Sequence, residues 1–180
     1  CVNRLLVHDA VYDRFVDTFT AAVAGLRLGD VHDPATQVGP LVSERAVAKV
    51  EAHVTDALTH GARLALGGAR LDGLAYRPTV LTEATPAMRI AQEQVFGPVA
   101  AIFRFGNEAE AIAMANDTPF GLAAYLYSRD VGRCWRVALQ VLFTRCPGLT
   151  LEEPAPVKDS WHFHGRDRLV VRRRGVGPSP

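Results

Sequence analysis

The stretch NRLLVHDAVYDRFVDTFTAAVAGLRLG, Asn3–Gly29, decides how the chain is read. Asn3 to His8 is an apolar run too short for a helix, and it reads as a buried strand. Asp9 can cap the helix that follows, in which Val11, Phe15, Phe19, Val23 and Leu26 recur at near-helical spacing; Gly29 is its expected end. A strand running straight into an amphipathic helix is half of a β-α unit, so the question is whether the pattern repeats.

It does. A loop rich in Asp, Pro and Gly leads through VGPL to Ser43, a second N-cap, and to a helix with Val47, Val50, Val54 and Leu58 on one face and Gly61 as its stop. A strand at Arg63 to Leu66, a Gly67-Gly68 turn and an extended segment at Arg77 to Leu81 come next; Pro78 forbids a helix interior there. RIAQEQ forms a short helical turn, Gly97-Pro98 a bend, and Val99 to Phe105 a strongly apolar strand. Asn107 and Glu110 make an Asn variant of the capping box for a helix through Ala115. A strand at Ala123 to Ser128 and a helix near Gly132 to Leu142 complete the series. Strands alternating with amphipathic helices, most strands apolar on both faces, indicate an α/β fold, a mainly parallel sheet flanked by helices.

The 180 residues suffice for one respectable core. No long apolar span, signal peptide or lipidation box is present, so the expectation is a soluble, cytoplasmic protein with no membrane role. Cys1, Cys134 and Cys146 are odd in number, widely spaced and without a CxxC pair, which speaks against a disulfide framework or structural zinc. Trp161–Pro180 holds five arginines against one aspartate, leaving fifteen basic and eighteen acidic residues before it. Arg172 to Arg174 lack interleaved aromatics and any nucleic-acid motif, and no nucleic-acid partner is expected.

Local chemistry is sparse. Gly67-Gly68 follows a strand, but no helix begins after it, so a plain turn outweighs a phosphate loop. His162 and His164 have no further ligands nearby and are read as a solvated loop; no metal site is assigned. His8, His32, His53 and His60 fall on expected strand ends, loops or helix surfaces without a paired carboxylate pattern, and none is assigned to catalysis.

Larger pieces are more informative. CVNRLLVHDAVYDRF, VGPLVS, RPTVL, EQVFGPV and ANDTPFGLAAYLYSRD, in this order and spacing, resemble the catalytic domain of the NAD(P)-dependent aldehyde dehydrogenase superfamily over roughly Cys1 to Ala138. The resemblance implies an oxidoreductase converting a small aldehyde to a carboxylic acid with NAD or NADP. In that family a cysteine thiolate attacks the carbonyl, hydride leaves the thiohemiacetal for the nicotinamide, and a glutamate-activated water releases the acid from the thioester. It implies a homo-oligomer for the parent enzyme.

The family's nucleophile lies five residues before the arginine that is Arg4 here, whereas Cys1 lies three before it. Cys1 thus matches a second cysteine found in some members, succinate-semialdehyde dehydrogenases among them. The expectation is that no catalytic residue lies in this chain: nucleophile, glutamate base, oxyanion-stabilising asparagine and most of the cofactor domain would precede Cys1, and the chain would be a C-terminal fragment, inactive alone. An alternative is a noncatalytic globular fragment or degraded paralogue that only associates with intact subunits.

EQVFGPV resembles the family's Glu-Glu-x-Phe-Gly-Pro motif, whose second glutamate binds the nicotinamide ribose and whose phenylalanine lies against the nicotinamide. Carried over, the cofactor-binding positions are Gln94 and Phe96. Gln94 departs from the motif: its amide oxygen can take one ribose hydrogen bond where a carboxylate takes two charge-assisted ones. Phe96 could equally be core, with FGP merely turning the chain into the next strand. In NDTPFGLAA, Asn116 and Gly121 are read as a helix stop and strand entry, although the family reading has them support the active site from behind.

Residues 1–140 are therefore read as a partial catalytic domain and 141–180 as a divergent, irregular tail. Five of the eleven prolines lie from Pro147 onward, and after Trp161 only LVV is apolar. Lys158 to Ser160 keep a remnant of the family's Lys-x-Ser-Gly, but the Phe-Gly-Gly step before it is missing and HFHGRDRLVVRRRGVGPSP matches nothing in the family. Arginine, proline and glycine enrichment is what out-of-frame GC-rich codons give, so a frameshifted tail is one expectation and genuine divergence the other.

Overall fold

The structure, a computed structural model, describes residues 3–118, 123–143, 160–163 and 169–172. The chain divides into two compact units, Cys1–Asn107 and Glu108–Pro180.

The first unit contains β1 (Arg4–His8), α1 (Asp9–Ala24), α2 (Glu44–Thr59), β2 (Arg63–Leu66), β3 (Thr79–Ala84), α3 (Arg89–Gln92) and β4 (Val99–Phe105). Its sheet runs β1-β4-β3-β2, with β4 parallel to both β1 and β3 and only the edge strand β2 antiparallel. Val80 and Leu81, like Ala101 and Ile102, are neighbours in sequence and fully buried. Successive strand residues point to opposite faces, so both faces of the sheet are covered. On one, Phe15, Val16, Phe19 and Val23 of α1 pack against Val7, Tyr12, Val80 and Ile102. On α2, Val47, Val50, Val54 and Ala57 are buried, and the helix lies against β3 and α3.

Several local expectations are corrected. The N-cap of α1 is His8, whose Nδ1 accepts the Ala10 N–H at 3.0 Å; the Asp9 carboxylate is engaged by Arg104 instead. The helix ends at Gly25, not Gly29, because the chain then turns to pair Arg27 and Leu28 with Gln37 and Val38. Tyr12 is 2% exposed and Val11 42%: the hydroxyl that makes Tyr12 look like a surface residue accepts the Glu83 N–H at 2.8 Å and donates to the Ile102 carbonyl. Leu58 likewise faces outward. The Ser43 cap holds, with Oγ accepting the Ala46 N–H at 3.2 Å.

The chain reverses at Asp72–Ala75, where the Ala75 N–H donates to the Asp72 carbonyl, and antiparallel pairing runs on through the Arg70–Tyr76 bridge and the Arg77 N–H to the Ala69 carbonyl, so the expected turn does not form at Gly67 and Gly68. Both have positive φ, a Cβ on Gly67 would lie 2.2 Å from the Pro78 carbonyl oxygen, and the Gly68 N–H is taken by Thr79 Oγ1 at 2.8 Å. The amide an anion would need at Gly68 is spent on the neighbouring segment.

The second unit contains α4 (Glu108–Asn116), β5 (Ala123–Leu126), α5 (Val131–Phe143), β6 (Ser160–Phe163) and β7 (Leu169–Arg172), the strands forming an antiparallel sheet in the order β5-β7-β6. Glu108 binds Arg133 and Arg136, and the Asn116 side chain donates to the Gln140 carbonyl, tying α4 to α5. Asn116 closes α4, as a helix stop would; Gly121 lies outside the described residues. Within the stretch expected to be irregular, β6 and β7 are strands, and LVV falls in β7; the rest of 144–180 lies outside the described residues.

Candidate functional site

Parallel pairing of β1 with β4 sets Arg4 beside Ala101, so the segment leading into β4 arrives at the end of the sheet where β1 begins. That segment is Glu93–Pro98. Val95 is 3% exposed and Phe96 65%, while Gln94 is exposed. Exposed, buried, exposed is the alternation of an extended strand-like segment, with Val95 as anchor and Gln94 and Phe96 presented together on the outer side. The two positions singled out from the sequence are thus brought together, and Phe96 is not core.

What fixes this segment is α2. Lys49 Nζ donates to the Gln94 carbonyl at 2.8 Å. Asp56 accepts the Arg89 N–H at 2.8 Å and so satisfies a free donor at the start of α3. A Cβ on Gly97 would lie 2.4 Å from Val50 Cγ2, so the Val50 side chain occupies the space a larger residue would need there. On the other side, Thr79 N–H donates to the Pro98 carbonyl at 2.8 Å.

His53 corrects its sequence reading. It is not on the helix surface but fully buried, with Nδ1 2.7 Å from the Lys49 carbonyl and Nε2 3.2 Å from Glu93 Oε2. The second approach has ion-pair distance without hydrogen-bond alignment, so Nε2 has no hydrogen-bond partner. Glu93 also takes two hydrogen bonds from Arg89, at 2.9 and 3.3 Å. Those bonds, with Arg89 and Lys49 as positive neighbours, hold its carboxyl below the usual carboxylate range against a smaller opposing effect of burial. His60 too has a carboxylate partner, Asp56 at 3.4 Å. One signal could have exposed His53: with Val50, Val54 and Ala57 it completes the apolar stripe of α2 at helical spacing.

Chemically, the segment offers an amide able to accept or donate and an aromatic ring open to a flat apolar group. It offers no nucleophile. Cys1 lies outside the described residues, and Cys134, on α5 in the second unit, has its Sγ 3.9 Å from the Ser128 carbonyl oxygen. Among the described residues no group of three or more His, Cys, Asp or Glu could hold a metal ion, and no helix is long and apolar enough to cross a membrane. A cleft of about 400 Å³ between the loops around Leu28–Pro40 and Asp72–Ala75 is chiefly apolar and contains neither Gln94 nor Phe96.

Comparison with known proteins adds the following. The aldehyde dehydrogenase family profile matches residues 1–165. The chain is 51% identical over 140 residues to 3-sulfolactaldehyde dehydrogenase of Pseudomonas putida, covering 77% of this chain and 29% of that protein. It is 49% identical over 139 residues to the NADP(+) succinate-semialdehyde dehydrogenase of Escherichia coli K12, covering 76% and 29%. Among solved structures, succinate-semialdehyde dehydrogenase from Burkholderia pseudomallei superposes with a TM-score of 0.76 at 52% identity, over 78% of this chain and 30% of the other. Betaine aldehyde dehydrogenase from Staphylococcus aureus in complex with NAD+ gives 0.74 at 38% identity, over 78% and 29%. The chain spans about a third of the length of the curated relatives it matches.

Proposed function

Since the chain belongs to the aldehyde dehydrogenase family, we propose that it supplies part of the catalytic domain of an enzyme oxidising an aldehyde to a carboxylic acid with NAD(P)+, and that its own contribution is to contact the cofactor through Gln94 and Phe96. The observation that carries this is the presentation of the two side chains around the buried Val95. Leaving a phenylalanine ring in water forgoes roughly 1.5–3 kcal/mol of burial, which a covering ligand would recover. Residues and group fit: the Phe96 ring suits the face of a nicotinamide, and the Gln94 amide oxygen suits one ribose hydroxyl. Bound there, the cofactor would supply the hydride acceptor.

Cys1 is not the nucleophile in this reading. A sulfur two residues out of register with the family's reacting cysteine would miss the near-attack geometry that covalent catalysis needs. The chain on its own therefore does not turn over aldehyde, and its action requires the remainder of a catalytic centre. The enzyme it serves is a cytoplasmic homo-oligomer. Its substrate is a short aldehyde with an anionic group at the far end, a class suggested by relatives named for sulfolactaldehyde, succinate semialdehyde and glutarate semialdehyde.

A hybrid enzyme tests this. Residues 1–140 replace the matching stretch of the E. coli enzyme, and reduced cofactor is followed with succinate semialdehyde. The hybrid is expected to turn over, Phe96→Ala to lower kcat/KM for the cofactor at least tenfold, and Gln94→Glu to improve it by about tenfold, the worth of one added charge-assisted hydrogen bond. A folded hybrid indifferent to both substitutions refutes the assignment.

A further inference from the structure

The contacts between α2 and the segment that ends in FGP form a continuous set. Asp56 meets Arg89, His53 meets Glu93, Lys49 meets Gln94 and Val50 meets Gly97. Residues 49, 53 and 56 share one face of a helix, so a single rigid element grips the segment at three polar points and one close-packed one. Three of the four fall on a neighbour, or on the backbone, of the two exposed side chains; the fourth, Asp56 on Arg89, anchors the start of α3.

The His53 geometry adds chemistry. A carbonyl oxygen only accepts, so the ring nitrogen 2.7 Å from the Lys49 carbonyl, Nδ1, carries a proton. In the neutral ring Nε2 is then a bare lone pair, and the group facing it at 3.2 Å is a carboxylate oxygen, a second acceptor. That approach becomes favourable only with a proton on Nε2 as well, and a small rotation then aligns the N–H with Glu93. Around the ring, α2 supplies Lys49 and Asp56, and Arg89 of α3 holds the same Glu93. Glu83 of β3, the strand against α2, is taken by Arg104.

We propose that α2 positions the cofactor-contacting segment, Lys49 by holding the Gln94 carbonyl and His53, when protonated at both nitrogens, by holding Glu93, so that the presentation of Gln94 and Phe96 follows the protonation of His53. Lys49 and His53 are positioning residues; neither touches a reacting atom. This rests on the reading of Gln94 and Phe96 as cofactor contacts.

The test uses the full 180-residue chain, isotopically labelled, without cofactor. Between about pH 5 and about pH 9 the amides of Gln94, Val95 and Phe96 are expected to shift with the midpoint shown by the His53 ring itself, which separates it from His60. His53→Gln and Glu93→Gln each abolish that shared titration. Lys49→Met raises amide exchange at residues 94–96 roughly tenfold, the equivalent of one lost charged hydrogen bond, with β4 unchanged, and Lys49→Arg restores it. A lysine that merely stabilised the fold would raise exchange across β4 equally. Absence of a shared midpoint, its survival in Glu93→Gln, or a uniform or absent exchange response to Lys49→Met overturns the proposal. The cofactor reading fails separately, when the hybrid enzyme ignores Phe96→Ala while the coupling within the chain stands.

Discussion

Gly97→Ala isolates the packing between the candidate site and α2. The φ of Gly97 is not in the left-handed region, so alanine meets no backbone strain there, and in open space the change would stabilise by about 0.4–1 kcal/mol through the unfolded chain. The new methyl, however, would start 2.4 Å from Val50 Cγ2, far inside contact distance, and Val50 is buried at 1% exposure in the face of α2 that cannot retreat from the sheet. Overpacking of this kind costs about 1–3 kcal/mol, so the net loss is roughly 1–2 kcal/mol. With a urea slope of about 1–3 kcal/mol/M for a unit of this size, the far-UV midpoint falls by roughly half to one molar. Val50→Ala removes the offending Cγ2 and leaves a cavity of its own, so the double variant should be more stable than the sum of the two losses predicts, by about 1 kcal/mol or more. Gly97→Ala without loss, or a double variant whose losses simply add, refutes the claim that Val50 dictates glycine at this position.

Tyr12→Phe leaves the Glu83 N–H, held at φ 54°, without its hydroxyl acceptor; denaturant melts should show a loss of about 1–3 kcal/mol with the helical signal retained. Ser43→Ala should cost about 1 kcal/mol by removing the cap of α2, and Ser43→Asp should restore most of it in the same melts. Glu108 is hydrogen-bonded by Arg136 and Arg133, which hold its carboxyl below the usual range; its stabilising contribution is therefore complete above the ordinary carboxylate range and disappears as pH falls through its depressed value. Glu108→Gln should flatten that acid limb in a plot of melting temperature against pH, and an unchanged limb would show that the pair contributes nothing.

Elements were legible where local chemistry decides them. Val99–Phe105 and Arg63–Leu66 match the strands residue for residue, because each is an apolar run bounded by Gly or Pro, and α2 begins directly after the serine read as its cap. Side-chain fates were less legible where an interaction spans the fold. Tyr12 is buried because Glu83, 71 residues on, needs its oxygen, and Val11 yields the core to it. Of the site, Gln94 and Phe96 came from a motif, but the helix that holds them did not: Lys49 reaches Gln94 across 45 residues, and no periodicity within α2 encodes the partner.

The two ends of the first sheet suit different work. In open parallel α/β sheets ligands usually settle outside the carboxyl ends of the strands. Here that end is closed: Arg104, near the end of β4, binds Asp9 and Asp13 of α1 and Glu83 of β3, with its guanidinium 3.8 Å over the Tyr12 ring. Three carboxylates around one guanidinium leave an excess of negative charge, which would repel the phosphates of a dinucleotide. At the opposite end Phe96 is exposed on a segment whose Gln94 carbonyl is held by Lys49 and whose Glu93 is held by Arg89, and that segment can be set by α2 without disturbing the strand pairing. A contact surface at the amino ends therefore needs a dedicated helix to orient it, because no strand terminus points the segment outward there, and α2 fills that role.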